Sequence, residues 1–314
     1  MARSVPEHVP ETTLPGVVDR HVHLGLVDRA LLADGPVTEV HDLGWDPREA
    51  STWAADPPSG VRVLCAGPFH TAPRGYPTGR SWAPDAAVRH IASPRAAAAA
   101  VADVVAGSGF AIKIALHAGM GLLPDDVLRA LVAEAHSAGL PVLVHAEGAR
   151  QAERAISAGA DTLVHVPWTE TLPPALIARA AHMTWISTLA IHDGPDRRGL
   201  DRALDNARRF VAAGGALAYG TDMGNGPTAV GVNEREIELL GEAGLAGEAL
   251  LCAVLGPPSV PALTAPLPVP VTSAELIAWL RAARRCWPVP PAPAVGGLDK
   301  GQGNQLGYTS TGTG

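Results

Sequence analysis

The sequence predicts an α/β chain folded as a (β/α)8 TIM barrel. Three observations predict it. Eight short runs rich in apolar and β-branched residues recur along the chain, and eight parallel strands are what such a barrel needs. Helix-like segments, several of them ending in glycine, fall between the runs, as βα units require. No GxGxxG or GxxxxGK[ST] loop follows any of them, so the competing doubly wound open sheet lacks its phosphate-binding turn.

In order, the runs are "GVVDRHVHLG" at 16–25, "VTEVHDLG" at 37–44, "VRVLCAG" at 61–67 and "FAIKIALH" at 110–117. They continue with "LPVLVHAEG" at 140–148, "DTLVHVPW" at 161–168, "MTWISTLA" at 183–190 and "ALAYGTDMG" at 216–224. The segment "PDDVLRALVAEAHSAG" shows why the stretches between them read as helices. Pro124 suits a first turn, Asp125 and Asp126 favour the positive end of the helix dipole, and Gly139 suits a C-terminal cap. The alanine-rich "PRAAAAAVADVVAG" is a helix too short and too polar at its edges to span a membrane. Beyond 224 come two further helical segments, "NEREIELLGEAG" and "AGEALLCAVLG", then a proline-rich stretch and the amphipathic "SAELIAWLRAARRCW". The domain reading is an N-terminal extension at 1–15, a barrel with C-terminal helices at 16–287, and a flexible Pro/Gly-rich tail at 288–314.

Composition narrows the function classes. Of 314 residues, 47% are apolar and 18% charged, which supplies a large core. A net charge of −7 gives no reason to expect nucleic acid or an anionic membrane as partner. Three cysteines, Cys65, Cys252 and Cys286, make no paired framework and read as reduced thiols. With no secretion signal at the N-terminus, the expected location is cytoplasmic. The expected partner is a small-molecule substrate, with a second copy of the chain left open.

The informative residues cluster at the ends of the runs. His21 and His23 lie two apart, so on a strand they share a face and can reach one ion. Lys113 is one of only two lysines, the other being Lys300, in a chain that otherwise uses arginine for its long cations. Its place between Ile112 and Ile114 points to chemistry that needs an amine: a Schiff base, or a lysine carbamylated by CO2 that bridges two metals. His145 and His165 end consecutive runs. Asp222 ends the eighth, well placed to bind a metal and to accept a proton from its water. The face of a barrel that carries strand C-termini is where active sites sit.

This order of motifs resembles the amidohydrolase superfamily, in particular its imidazolonepropionase-like branch, over roughly residues 14–255. "LPGVVDRHVHLGL" is similar to the first-strand motif, and "FAIKIAL", "PVLVHAEGA", "LVHVPW", "ISTLA" and "YGTD" follow in family order. The resemblance implies two divalent metal ions, zinc in the first instance. His21, His23 and Asp222 would hold one, His145 and His165 the other, with a CO2-derived carbamate on Lys113 between them and Asp222 as the catalytic base. It implies hydrolysis of a C–N bond, such as an amide, cyclic amide or amidine, in a small non-peptide substrate. Cyclisation, dehydration or decarboxylation on the same metals, a Schiff-base lyase on Lys113 and an inactive binding barrel are the alternatives. The chain departs from the family in lacking the sequence pattern of its accessory β-sandwich, so a bare barrel is expected.

Four further residues are candidates for substrate contact. His117 shares the face of Lys113, His192 follows the seventh run, and Trp168 lies at the end of the sixth. His70 lies in the long loop "GPFHTAPRGYPTGRSW", and loops of that length often close over a site.

Overall fold

The computed structural model describes residues 11–194, 197–258 and 260–286. The tail expected from 288 and the first ten residues lie outside them. The chain begins with β1 (Thr12–Pro15), β2 (Val17–Val22), β3 (Val37–Asp42), α1 (Pro47–Ala55), β4 (Arg62–Cys65), β5 (Phe69–Thr71) and β6 (Val88–His90). Helices and strands then alternate: α2 (Pro94–Ala106), β7 (Ile112–His117), α3 (Asp125–Ser137), β8 (Val142–Glu147), α4 (Gln151–Ala158), β9 (Thr162–Val164), α5 (Pro174–Ala180) and β10 (Thr184–Ile186). The remainder is α6 (Arg197–Ala212), β11 (Ala216–Ala218), α7 (Glu234–Glu242), α8 (Gly247–Val254), β12 (Ala262–Ala265), α9 (Ser273–Ala282) and β13 (Arg284–Cys286).

The parallel strands lie in two arcs, β2-β3-β4 and β11-β10-β9-β8-β7-β5-β6. Backbone bonds join the arcs into a ring. At one seam Arg20 donates to Tyr219 O (3.1 Å), Asp222 to His21 O (2.9 Å) and His23 to Met223 O (2.8 Å). At the other, Phe110 donates to Cys65 O at 3.1 Å. The third barrel strand is split. β4 pairs with β3 at one end, and β5 pairs with β7 at the other, with Phe69 opposite Lys113. Pro68 lies in the break, where a residue without an N–H leaves no ladder bond unmade. Gly44 approaches this break so closely that a Cβ there would come within 2.3 Å of the Phe69 ring.

The helices pack outside the ring through apolar stripes. On α3 the buried residues are Val127, Leu128, Leu131, Val132 and Ala135, one face of a helix by their spacing. On α6 the Phe210 ring stacks on Trp185 of β10, centroids 3.7 Å apart. Truncating such a buried ring to alanine costs about 3–5 kcal/mol.

A bare barrel was expected, yet a small antiparallel sheet, β1-β12-β13, stands beside it. Residues 12–15, expected at the end of an extension, form its first strand. The amphipathic segment is helical only as far as Ala282, and Arg284–Cys286 continues as a strand. The Arg285 guanidinium explains that change. It donates to the carbonyls of Gly35, Ser59, Leu32 and Val37 at 2.7–2.8 Å, tying the segment to the start of β3. Helix α9 starts at a capping box of Thr272 and Glu275, and its Trp279 indole donates to Thr12 Oγ1 at 2.8 Å. Among the described residues no helix is long and apolar enough to cross a membrane.

Candidate metal centre

His21 and His23 leave β2 toward the mouth of the barrel, with Val22 turned into the core between them. The seam bonds fix their height against Asp222, whose Oδ1 lies 3.3 Å from His21 Nε2 and 3.3 Å from His23 Nε2. One ligand atom from each of the three residues falls within 4.8 Å of the others. Asp222 Oδ2 accepts from Asn225 Nδ2 at 2.7 Å, which leaves Oδ1 facing the imidazoles. Behind them Asp19 braces both strands. It accepts from the His21 and Thr221 amides at 3.1 and 3.0 Å and from the Thr221 hydroxyl at 2.5 Å. Burial still pushes its carboxyl up to about 7, against the effect of those three donors.

Lys113 is 1% exposed, and its Nζ has no hydrogen-bond partner. Burial pushes the amine down to about 7, opposed by Asp222 and Asp42. The His21 and His165 ring centroids are 4.9 Å apart, and those of His145 and His165 are 5.0 Å apart, so the imidazoles form a continuous group. His165 Nδ1 bonds Thr188 Oγ1 at 2.7 Å, and His145 Nε2 bonds Glu147 Oε2 at 3.2 Å. In each ring one nitrogen is thereby anchored and the other left for a ligand. His165, Thr188 and Asp222 all have left-handed backbones, with φ of 70°, 43° and 55°. Such strain in non-glycine residues, one of them β-branched, collects where geometry matters more than local stability.

The cluster fits a divalent cation. His21 Nδ1 and Nε2, His23 Nδ1, Lys113 Nζ and Asp222 Oδ1 are all buried without a hydrogen-bond partner. Each such group costs about 1–3 kcal/mol unless something satisfies it. Imidazole nitrogens with a carboxylate oxygen are a common zinc ligand set. Burial drives His21 and His165 well below the usual histidine range, opposed by the Asp222 carboxylate beside them. Burial alone would raise the Asp222 carboxyl, but His21, His23 and His165 hold it well below the usual carboxylate range.

These residues form the floor of a cavity of about 1040 Å³. Trp168 and His192 line it, as the sequence suggests, with their rings 5.0 Å apart. His117 does not line it but lies behind two residues that do, 3.2 Å from Glu147 Oε1 and stacked on Tyr76. His70 does not face it. On β5, Phe69 points into the barrel and His70 outward, where its Nδ1 bonds the Lys113 carbonyl at 3.1 Å and burial pushes it down to about 4. The substrate contact expected of His70 is therefore replaced by support of the Lys113 strand.

Sequence reasoning missed Tyr76 and Trp82, which the long loop brings over the floor, together with Glu147 and Thr188. Glu147 had a usable signal, since it lies two residues beyond His145 on the same strand face.

No protein-family model matches the sequence, and the comparison with curated proteins returns no match. The fold is shared with solved structures. A Xaa-Pro dipeptidase with methionine bound in its active site superposes with a TM-score of 0.68 at 21% identity, over 87% of this chain and 84% of that one. The A. niger ochratoxinase gives 0.66 at 16% identity, over 86% and 80%. A molinate hydrolase gives 0.65 at 17% identity, over 92% and 88%. The (β/α)8 barrel expected from the sequence is the fold these hydrolases share.

Proposed function

We propose that the chain belongs to the amidohydrolase superfamily and hydrolyses a C–N bond of a small non-peptide substrate with divalent metal, zinc in the first instance. The observation that carries this reading is the convergence of His21, His23 and Asp222 beside the unpartnered Lys113 amine, at the mouth of a hydrolase-type barrel. His21, His23 and Asp222 would hold one ion and His145 and His165 a second, with Lys113 Nζ carrying a carbamate between them. Bound there, the metals would lower the pKa of water toward neutrality and polarise the substrate carbonyl.

The chain's own part is proton transfer and positioning. Asp222 starts ionised because the surrounding imidazoles favour its anion. Its Oδ1 accepts the proton of the attacking water as the C–O bond forms. It returns that proton to the leaving nitrogen as the C–N bond breaks. Thr188 and Glu147 hold the His165 and His145 rings in one orientation throughout.

Elemental analysis of protein prepared without chelators tests the centre. Two ions per chain are expected in the parent and fewer in both Lys113→Ala and Lys113→Arg, because a guanidinium cannot be carbamylated. Full metal occupancy in Lys113→Arg would remove the bridging role. Product mass tests the reaction, since hydrolysis adds the elements of water and a cyclisation, dehydration or decarboxylation does not.

A further inference from the structure

The segment after β10 is held by a residue from another element. As far as Thr188 the main chain is fixed by bonds to the eighth run. Ser187 N–H donates to Ala218 O at 2.9 Å and Thr188 N–H to Gly220 O at 3.1 Å. Beyond it, Leu189–His192 makes one short helical turn with Thr188 at the N-cap position. A threonine there ordinarily turns its hydroxyl onto an amide two or three residues on. Thr188 makes no such bond. Its Oγ1 lies instead 2.7 Å from His165 Nδ1.

The amide of the turn is met by Glu236. This residue is fully buried on α7, and its Oε2 accepts from Ala190 N–H at 2.6 Å. Ala190 is the second residue of the turn, so Glu236 takes the bond that the Thr188 hydroxyl leaves unmade. Burial pushes the Glu236 carboxyl up to about 7, against Ser187 and the Ala190 and Leu189 amides. The bond to Ala190 needs only an acceptor oxygen, which a glutamine also carries.

Glu236 can reach the turn because of how α7 begins. Asn233 is its N-cap and Glu236 its third residue, the two positions of a capping box. Asn233 Oδ1 accepts from Glu236 N–H at 3.2 Å, which is one half of that box. In the other half the glutamate would reach back to the N-cap amide, as Glu275 does to Thr272 at the start of α9. Here the Asn233 N–H donates to the Tyr219 phenol oxygen at 2.8 Å. The Glu236 side chain is thereby released to cross to the turn after β10.

We infer that Glu236 is a positioning residue for His165: by capping the 189–192 turn in place of Thr188, it leaves the Thr188 hydroxyl to orient the imidazole. The role in orienting the ring stands on these contacts alone. Its consequence, a tighter hold on the ion that His165 would bind, rests on the proposed metal centre.

The ring is read first, in metal-free protein at fixed pH, from the His165 ring-nitrogen chemical shifts, assigned by their loss in His165→Gln. Glu236→Met keeps the length of the side chain and removes the acceptor. The Thr188 hydroxyl then turns to Ala190 N–H, and the shifts move as they do in Thr188→Val. Glu236→Gln keeps the parent shifts. Adding Glu236→Met to Thr188→Val changes the ring no further, since the hydroxyl is already gone. A side chain that only stabilised the fold would leave the ring alone, so parent shifts in Glu236→Met overturn the inference. Additive changes in the double variant overturn it as well. If Glu236→Met does not fold, Tyr219→Phe takes its place. That variant returns the Asn233 N–H to Glu236 and draws it off the turn, and unchanged shifts there overturn the inference equally. Competition with a chromogenic chelator reads the consequence: Glu236→Met weakens the ion that His165 would hold by about 10- to 100-fold. Shifts that move as expected in a protein that binds no metal leave the positioning role standing and remove the metal reading.

Discussion

The two halves of the cluster are held in place by different means. His21, His23 and Asp222 sit on strands paired at the barrel seam, and main-chain bonds set their mutual height: Asp222 N–H to His21 O and His23 N–H to Met223 O. His145 and His165 sit on β8 and just beyond β9. Each takes its ring orientation from a single side chain, Glu147 or Thr188. The first three ligand atoms come together within 4.8 Å, and among the described residues no other His, Cys, Asp or Glu joins that group. The seam half is therefore built by strand pairing, which no single outer side chain can undo. The other half is built by side-chain anchors, which single substitutions can loosen one at a time.

The largest expected effect falls on the seam half. Asp222→Asn keeps the seam bonds but removes the proton acceptor and a metal ligand, and lowers kcat by about 10²–10⁴-fold. A variant that keeps more than a tenth of the parent kcat, with an unchanged circular dichroism spectrum, would show that proton transfer lies elsewhere.

The anchored half predicts intermediate effects. Thr188→Val removes the hydroxyl from His165 Nδ1 and, of the two proposed ions, weakens the one His165 would hold by about 10- to 100-fold, as read by competition with a chromogenic chelator. Glu147→Gln falls at the low end of that range, since its bond to His145 is 3.2 Å and the Thr188 bond is 2.7 Å. Equal loss of both ions in either variant would mean that the two halves are one unit.

The smallest effect concerns His70, which supports the Lys113 strand from outside. Its folded pKa of about 4 lies below the ordinary value of 6.5, so the unfolded chain binds the extra proton between those limits. Stability is complete above 6.5 and declines as pH falls toward 4, by at most about 1.4 kcal/mol per pH unit from this group. His70→Gln keeps a donor for the Lys113 carbonyl and cannot titrate there. The fall in urea midpoint between pH 6.5 and 4.5 should become shallower in the variant, and an identical slope would assign the acid sensitivity to other groups.

The proximity of the six candidate residues was legible because five of them end apolar runs and Lys113 interrupts one, and strand alternation sends each to a predictable face. His21 and His23 two apart, and a single buried lysine in an arginine-rich chain, are local signals. His70 misled for the same reason. The sequence showed a histidine in a long loop, but part of that loop is the second half of a barrel strand, and alternation there turns Phe69 inward and His70 outward. The small sheet was illegible because β1 pairs with β12 about 250 residues further on, and the strand after α9 is tied down by Arg285 reaching carbonyls near β3.

The sequence by itself determined the eight strands, their parallel order and the residues at their C-terminal ends. These follow from short-range periodicity: two residues per repeat on a strand, and a helix between most consecutive strands. Only the tertiary structure decided that Tyr76 and Trp168 flank the His145 imidazole while Trp82 lies beside His23, that Thr188 orients His165, and that Asp193 pairs with Arg235. Those contacts join segments with no shared local pattern. Ring closure brings them together, and periodicity carries no information about what lies across a closed ring.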